Sequence, residues 1–179
     1  DKVIVNDKQA AKEATQTLID DNRENILLIT SEDYVSVGNL RTEGYLEALK
    51  DNGIIPDSHL IIKVKDNKGS QIEMDVLENE LEKTLKSKKI DAILGVNEIY
   101  AASALKVLKK RNIKIPQEIA IISFTDGVIS RYSSPTLSTI SQHGEIMGER
   151  SAKLLIDKLT GKTDYSDFKT EIINCSLIK

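Results

Sequence analysis

The order of apolar and polar residues predicts short strands that alternate with longer helices along most of the chain. Four uninterrupted apolar runs of three or four residues begin near positions 26, 60, 91 and 119. Such runs are typical of parallel strands that are covered by helices on both faces. Between the runs, apolar residues recur three or four positions apart, which is the spacing of one helix face. The strands are predicted over residues 26–29, 60–62, 92–94 and 119–122.

The helices between these runs complete a repeat of about 30 residues, the usual length of a strand–helix–strand unit. Asn6 and Asp7 are suited to cap the first helix, over residues 8–22. Further helices are predicted over residues 38–52, around residues 76–85 and over residues 98–111. We therefore expect one parallel sheet with helices on both faces, an α/β fold. The positions expected to face the sheet from the second and third helices are Leu40, Tyr45, Ala48, Leu49, Val76, Leu77, Leu81 and Leu85.

The pattern changes after residue 124. A polar stretch over 125–135 leads to a short apolar segment at 137–140, a helix over about 143–160 and a last strand around 168–174. The helix carries an apolar stripe for which the tail offers no partner, so the stripe faces either the sheet or something absent from the chain. The stripe consists of Met147, Ser151, Leu154, Leu155 and Leu159.

Composition narrows the class of protein. Apolar residues make up 40% of the 179 residues, and no apolar stretch approaches the ~18 residues of a bilayer span, so we expect a soluble globular protein without membrane association. A single cysteine, Cys175, excludes an internal disulfide and fits a reducing, cytoplasmic compartment. The formal net charge is -3, and the sequence shows no cluster of Lys and Arg of the kind that binds nucleic acids. Because the chain starts at Asp1 without Met, we expect a fragment of a longer protein.

Residue patterns for catalysis or metal binding are scarce. The tripeptide Gly-Lys-Thr at 161–163 resembles the end of a phosphate-binding loop, but residue 156 is not the required glycine and the tripeptide follows a helix. His59 and His143 lie far apart without a metal-ligand spacing, and Cys175 is interpreted as an inert thiol in a late strand. We therefore expect no cofactor and no metal, and a binding module is favoured over an enzyme.

Ligands bind open parallel sheets outside the carboxyl ends of the strands, so polar residues in the loops there are candidates for a site. Arg41 is the most informative of them, because a cation in the first turn of a helix faces the positive end of the helix dipole and needs a partner. One interpretation is a salt bridge to Glu32, Glu43 or Asp126. The other is a forked contact to ligand oxygens, and the residues alone leave both open.

Three further polar residues follow strands of the predicted sheet. Asn97 offers a donor and an acceptor for sugar or nucleoside recognition, and it is equally suited to cap the next helix. Thr125 and Asp126 follow the fourth strand and are either loop-forming residues or ligand contacts beside Asn97.

Four segments carry a resemblance to a known family. Residues 41–49 are Arg-Thr-Glu-Gly-Tyr-Leu-Glu-Ala-Leu, and residues 92–98 are Ala-Ile-Leu-Gly-Val-Asn-Glu. Residues 115–124 are Ile-Pro-Gln-Glu-Ile-Ala-Ile-Ile-Ser-Phe, and residues 135–142 are Pro-Thr-Leu-Ser-Thr-Ile-Ser-Gln. In this order the segments resemble the effector-binding region of the LacI/GalR family of bacterial transcription regulators, and the likeness covers essentially the whole chain.

The resemblance implies a periplasmic-binding-protein-like fold that senses a small-molecule effector, a sugar or sugar-like compound. It implies that operator DNA is read only through a helix-turn-helix in an N-terminal region that this chain lacks. A homodimer is a further expectation, with the helix over 98–111 and the loop over 128–135, including Tyr132, as its candidate surfaces.

The resemblance also divides the chain. Residues 6–128 would form the C-terminal lobe, and residues 129–160 would return to the missing N-terminal lobe. Residues 161–179 would carry the last strand back to the C-terminal lobe. The apolar stripe of the helix over 143–160 would then pack within the missing lobe.

By the same resemblance, Arg41 matches the arginine that hydrogen-bonds effector hydroxyls or carboxylates, and Asn97 matches a polar residue on the same pocket wall. The family often has Phe-Asp-Asp or Phe-Asp-Asn where this chain has Phe-Thr-Asp at 124–126. Thr125 thus replaces the expected aspartate, and either Asp126 takes over its role or the ligand differs. Replacing Arg41 with alanine is expected to abolish effector binding and to leave the fold intact.

Two other functions fit the same predicted fold. One is a lobe of a periplasmic sugar-binding protein of an ABC transporter, which would carry a signal peptide upstream instead of a helix-turn-helix. The other is a doubly wound enzyme, which the scarcity of nucleophiles, metal ligands and phosphate loops disfavours. The segment over 115–122 favours the regulator.

Overall fold

The computed structural model describes residues 1–32, 36–65, 71–125 and 127–179, with the side chains of residues 71 and 72 left out. The described residues form eight strands and six α-helices, with a 3-10 turn before the third strand. In chain order these are β1 (Lys2–Val5), α1 (Asp7–Asp20), β2 (Ile26–Ser31), α2 (Ser36–Asp51), β3 (Ile61–Val64), α3 (Gln71–Ser87), β4 (Ala92–Gly95), α4 (Glu98–Lys110), β5 (Ala120–Phe124), α5 (Val128–Tyr132), β6 (Ser138–Ser141), α6 (Gly144–Leu159), β7 (Thr170–Ile173) and β8 (Ser176–Ile178).

Six strands form the main sheet, in the spatial order β3-β2-β4-β5-β6-β8. The first five are parallel, and β8 pairs antiparallel with β6. α1 packs against α2, and α3 packs against α4, so that helices cover both faces of the sheet. The predicted α/β fold with a parallel sheet is confirmed, because the four predicted strands correspond to β2, β3, β4 and β5.

The core explains why the strands were recognisable. Every residue of β2 and of β4 is buried, so these central strands contain almost no polar side chains. Tyr45 of α2 is fully buried against them, and its hydroxyl donates a hydrogen bond to the backbone oxygen of Ile26 at 2.8 Å. That bond satisfies the phenol, and burial raises the pKa of Tyr45 well above its usual range.

Two expectations about helix faces are wrong. Leu40 and Val76 are exposed, although both were expected to face the sheet. In α2 the buried stripe runs through Gly38, Arg41 and Tyr45, which are three or four positions apart, and Leu40 lies outside it. The stripe therefore carries a charged residue, Arg41, into the interior of the protein.

β1 and β7 form a separate two-stranded parallel sheet, against which α6 packs. This arrangement corrects the expected division of the tail. The segment Ser138–Ser141 does not leave with residues 129–160, because it is β6 and pairs with β5 in the main sheet. The strand expected near 168–174 to rejoin the main sheet is β7 and pairs with β1, whereas Ser176–Ile178 is the strand that rejoins.

The two sheets are joined by three connections, which run from β1 to α1, from β6 to α6 and from β7 to β8. Asn6 lies on the first of them, at the cap position of α1, but its side chain makes no cap hydrogen bond. Its Oδ1 instead accepts a hydrogen bond from the backbone nitrogen of Cys175, on the third connection, at 2.8 Å. The residue that was expected to cap a helix therefore links two connections.

Several apolar side chains are exposed around the small sheet. All of α6 is described, and none of its residues is buried. Leu155 and Leu159 of α6 are exposed, as are Ile4 of β1 and Ile172 of β7. None of the helices in the described part of the chain is both long enough and apolar enough to span a bilayer.

Candidate functional site

The carboxyl ends of β2, β4 and β5 lie side by side at one edge of the main sheet. Arg41 reaches this edge from α2. Its Nη1 donates a hydrogen bond to the backbone oxygen of Val96 at 2.5 Å, and its guanidinium carbon lies 3.8 Å from the centroid of the Phe124 ring. Val96 and Phe124 directly precede Asn97 and Thr125, so the structure brings three of the predicted site residues to the same edge.

The guanidinium of Arg41 forms a buried ion pair. Arg41 is 5% exposed and Asp7 is 6% exposed. Oδ1 of Asp7 accepts from Nε of Arg41 at 2.7 Å and lies 2.6 Å from Nη2. Nη2 also donates to Oε1 of Gln142 at 3.1 Å. The Arg41 side chain thus forms hydrogen bonds to the start of α1, to the residue after β4 and to the connection from β6 to α6.

Among the described residues, the ion-pair partner of Arg41 is neither Glu32 nor Glu43, and the expected bridge to Asp126 lies outside the described residues. Asp7 accepts from Arg41, whereas Glu43 lies 3.8 Å from Lys8 in an exposed pair. The physical reason is the buried stripe of α2, which turns residue 41 towards the start of α1. Because α2 begins at Ser36, Arg41 stands in its second turn, and burial of the charge, more than the helix dipole, makes a partner necessary.

Burial also governs the titration of two groups in this cluster. Burial lowers the pKa of the Arg41 guanidinium, and the neighbouring Asp7 carboxylate opposes that effect. Burial, followed by the charge of Asp7, raises the pKa of Cys175 to about 11. Cys175 is therefore a protonated thiol at neutral pH, in keeping with its interpretation as an inert residue.

Asn97 is the N-cap of α4. Its Oδ1 accepts a hydrogen bond from the backbone nitrogen of Tyr100 at 2.9 Å, which confirms the capping interpretation. Capping uses only the oxygen, and Nδ2 has no hydrogen-bond partner among the described residues. The donor of this amide is thus available to a ligand, and recognition by Asn97 stays a prediction.

Thr125 sits at a strained point of the backbone. Its φ is +93°, in a region that a β-branched residue rarely adopts, and such a conformation costs on the order of 1–3 kcal/mol. Its backbone nitrogen donates to the oxygen of Ile140 at 2.9 Å, which holds the turn against β6. Ligand contact by Thr125 stays a prediction. Asp126 lies outside the described residues, and so does the proposed exchange of roles between the two.

Three members of the cluster were not predicted as site residues: Asp7, Phe124 and Gln142. Phe124 and Gln142 close two of the segments that carry the resemblance, at 115–124 and 135–142, so their position was the available signal. Asp7 was interpreted as part of a helix cap, not as a site residue. Nothing local marks it as the partner of Arg41, which is 34 residues away.

Comparison with known proteins identifies the family. The model of a periplasmic binding protein-like domain matches residues 15–178. The transcriptional regulator MalR of Clostridium butyricum is 32% identical over 136 residues, which cover 74% of this chain and 39% of that protein. The ribose operon repressor of Escherichia coli (strain K12) is 30% identical over 151 residues, which cover 84% of this chain and 44% of that protein.

A solved structure agrees with these relatives. A periplasmic binding protein/LacI transcriptional regulator from Alkaliphilus metalliredigens, complexed with D-xylulofuranose, superimposes with a TM-score of 0.81 at 26% identity. The match covers 99% of this chain and 63% of that one. This chain spans less than half the length of the two curated relatives. The chain belongs to the periplasmic binding protein-like domain family, in the LacI/GalR group of transcription regulators.

Proposed function

We propose that this chain is the effector-sensing part of a cytoplasmic DNA-binding transcription regulator, and that its effector is a sugar or sugar-like molecule. The observation that carries the proposal is Arg41, which is held by Asp7 and Gln142 where the carboxyl ends of the strands meet. That edge is where parallel sheets bind ligands. The D-xylulofuranose bound to a relative at 26% identity supports a carbohydrate.

DNA binding belongs, in this proposal, to another part of the protein. The net charge of the chain is -3, and phosphate backbones are bound by clusters of Lys and Arg. The relatives are regulators more than twice as long as the region they share with this chain. A regulator is therefore favoured over a transport protein, and the chain acts as a binding module without a catalytic role.

We place two lobes in the complete protein. The main sheet forms one lobe, and β1, α6 and β7 belong to the other, most of which lies outside this chain. The exposed apolar residues Leu155 and Leu159 of α6 and Ile172 of β7 support this division, because a helix and a sheet of this kind are stable when both faces are covered.

Effector binding would act through the three connections between the sheets. His143 Nε2, on the second connection, and Ser176 Oγ, at the start of β8 directly after the third connection, lie 3.0 Å apart. Arg41 contacts Asp7, directly after the first connection, and Gln142, on the second connection. A ligand that contacts Arg41 would therefore favour one relative orientation of the lobes, and the affinity for DNA would change by linkage.

The test of the ligand site uses Asn97, because one substitution separates its two roles. Asn97→Asp keeps an oxygen that caps α4 and removes the Nδ2 donor, so the stability should change by less than about 0.5 kcal/mol. We expect it to weaken sugar binding by the intact protein about tenfold, because one hydrogen bond is lost and a negative charge is added.

The measurement is calorimetric titration with D-ribose, D-xylulose, D-galactose and maltose. Asn97→Ala serves as the comparison, since it removes the cap and should lower stability by about 1 kcal/mol. Equal affinities in the wild type and Asn97→Asp would remove Asn97 from the site. Absence of binding to any sugar by the wild type would contradict carbohydrate sensing.

A homodimer is the second part of the proposal, and α5 with the start of α4 is its surface. Val128 is 72% exposed and Tyr132 is 83% exposed, and the exposed Ile99 and Ile129 lie in the same two helices. Glu98 fixes α5, because its Oε1 accepts hydrogen bonds from the nitrogen and Oγ of Ser130 at 2.9 and 3.0 Å. The apolar residues of α5 thus lie on an element that is hydrogen-bonded to the start of α4.

Aspartate at positions 128 and 132 should separate the subunits. We expect Val128→Asp with Tyr132→Asp to weaken the dimer by about 30-fold or more, because each charge would be buried without a partner in the interface. Light scattering over a range of concentrations measures the change. Tyr165→Asp, at an exposed aromatic residue elsewhere, is the control. A wild-type protein that stays monomeric at micromolar concentration would contradict the dimer.

A further inference from the structure

Four of the five N–H groups of Arg41 already have protein partners. A guanidinium grips a carboxylate or a phosphate with two parallel N–H groups along one edge. The Nε and Nη2 edge is taken by Asp7, since both nitrogens lie within 2.7 Å of Oδ1. On the other edge, Nη1 donates to Val96 and Nη2 donates to Gln142. A forked contact to a ligand anion would therefore require that a protein group be displaced.

What remains for a ligand is a single hydrogen bond. Five N–H groups are present in a guanidinium, and one of the two on Nη1 has no partner among the described residues. One N–H suffices for a hydroxyl oxygen, which needs no counter-charge. It gives a phosphate or carboxylate little compensation for losing its water.

The charge of Asp7 adds to this geometry. Asp7 is buried beside Arg41, so the pair is close to neutral as seen by an approaching ligand. An anion that came within reach of Arg41 would also come near the Asp7 carboxylate, and two like charges repel strongly where water is largely excluded. A hydroxyl meets no such repulsion and can itself donate to a carboxylate oxygen.

We propose that Asp7 is a specificity-determining residue, which restricts the Arg41 end of the site to uncharged, hydroxyl-bearing groups and excludes phosphorylated or carboxylated analogues. Asp7 acts through Arg41, whose charge it neutralises and whose Nε edge it occupies, and is thus a positioning residue. The proposal rests on the proposed function, because it assigns the charge of the effector that the same site takes.

The experiment compares matched neutral and anionic sugars in the intact protein. The probes are D-ribose with D-ribose 5-phosphate, D-galactose with D-galacturonate, and inorganic phosphate, each titrated calorimetrically at one ionic strength. The variants are Asp7→Asn, which keeps the shape without the charge, and Asp7→Glu, which keeps the charge. Glu43→Gln is the control, because it removes an exposed carboxylate elsewhere on α2. Circular dichroism establishes that each variant is folded.

The wild type should bind a neutral sugar at least about tenfold more tightly than its anionic counterpart. Asp7→Asn should reduce that ratio by about tenfold or more, whereas Asp7→Glu and Glu43→Gln should preserve it. If Asp7→Asn does not fold, Gln142→Glu decides in its place, since a second carboxylate beside Nη2 should increase the ratio. An unchanged ratio in the folded Asp7→Asn protein, or in Gln142→Glu, would overturn the proposal.

Failure of this proposal is distinguishable from failure of the proposed function. Tighter binding of an anionic sugar by the wild type would overturn the role of Asp7 and leave carbohydrate sensing intact. No binding of any sugar by the wild type would count against carbohydrate sensing. Inorganic phosphate then decides the role of Asp7: stronger binding by Asp7→Asn than by the wild type supports it, and equal binding overturns it.

Discussion

Replacement of Arg41 with alanine is expected to lower the free energy of unfolding by about 3–5 kcal/mol. The reason is Asp7, which is 6% exposed and would keep its position beside the main sheet without a counter-ion. The substitution also removes the hydrogen bonds to Val96 and Gln142 and the contact with the Phe124 ring. The substitution weakens the fold itself, so the lower free energy of unfolding should be measurable in the absence of any ligand.

Urea unfolding followed by circular dichroism measures this loss. The double variant Asp7→Ala with Arg41→Ala should be more stable than Arg41→Ala alone, because it removes the unpaired carboxylate as well. Arg150→Ala, at an exposed position of α6, is the control and should change stability by less than about 0.5 kcal/mol. A wild-type stability in Arg41→Ala would show that the buried pair does not form.

The buried pair changes how Arg41 is to be tested as a ligand contact. From the sequence, Arg41→Ala was expected to abolish effector binding in an intact fold. With Asp7 as its partner, the same substitution would weaken binding through loss of structure as well as through loss of a contact. Asn97→Asp is the cleaner probe of the site, because Asn97 keeps its cap oxygen in the variant.

The parts of the fold that the sequence predicts well are those where burial is complete. β2 and β4 lie in the middle of the main sheet with every residue buried, so β4 and the first four residues of β2 are continuous apolar runs. β6 is buried too, but its sequence Ser-Thr-Ile-Ser is mostly polar, and nothing in it indicates whether it pairs with β5 or leaves the sheet. The position of β6 in the main sheet is therefore determined by the segments that flank it.

The candidate site, like the fold, could be predicted from the sequence only in part. The edge of the sheet where Arg41, Asn97 and Thr125 meet is dictated by strand direction, which the repeat of strands and helices already implies. The ion pair joins residues of two different helices, Arg41 of α2 and Asp7 of α1. Only the close packing of α1 on α2 brings Asp7 within reach of Arg41. A contact of that kind depends on three-dimensional register, which local patterns do not encode.

Gly44 is the residue that permits this close packing of α1 on α2. A Cβ at position 44 would overlap the backbone oxygen of Lys8 and would lie 2.9 Å from the nitrogen of Lys12. Both are backbone atoms of α1, so neither can turn away as a flexible side chain would. The adjacent Tyr45 is fully buried, which limits how far α2 itself can move.

Gly44→Ala should therefore destabilise the chain by about 3 kcal/mol, although alanine is the better helix former by about 1 kcal/mol. Separation of the helices would also draw Asp7 away from Arg41, since Asp7 and Lys8 are neighbours in the first turn of α1. Gly148→Ala is the matched control in urea unfolding: it lies in α6 with open space around it, so it should stabilise by about 0.5–1 kcal/mol. A gain in stability for both variants would contradict the close packing, whereas opposite signs would show that backbone contact, not helix propensity, requires glycine at position 44.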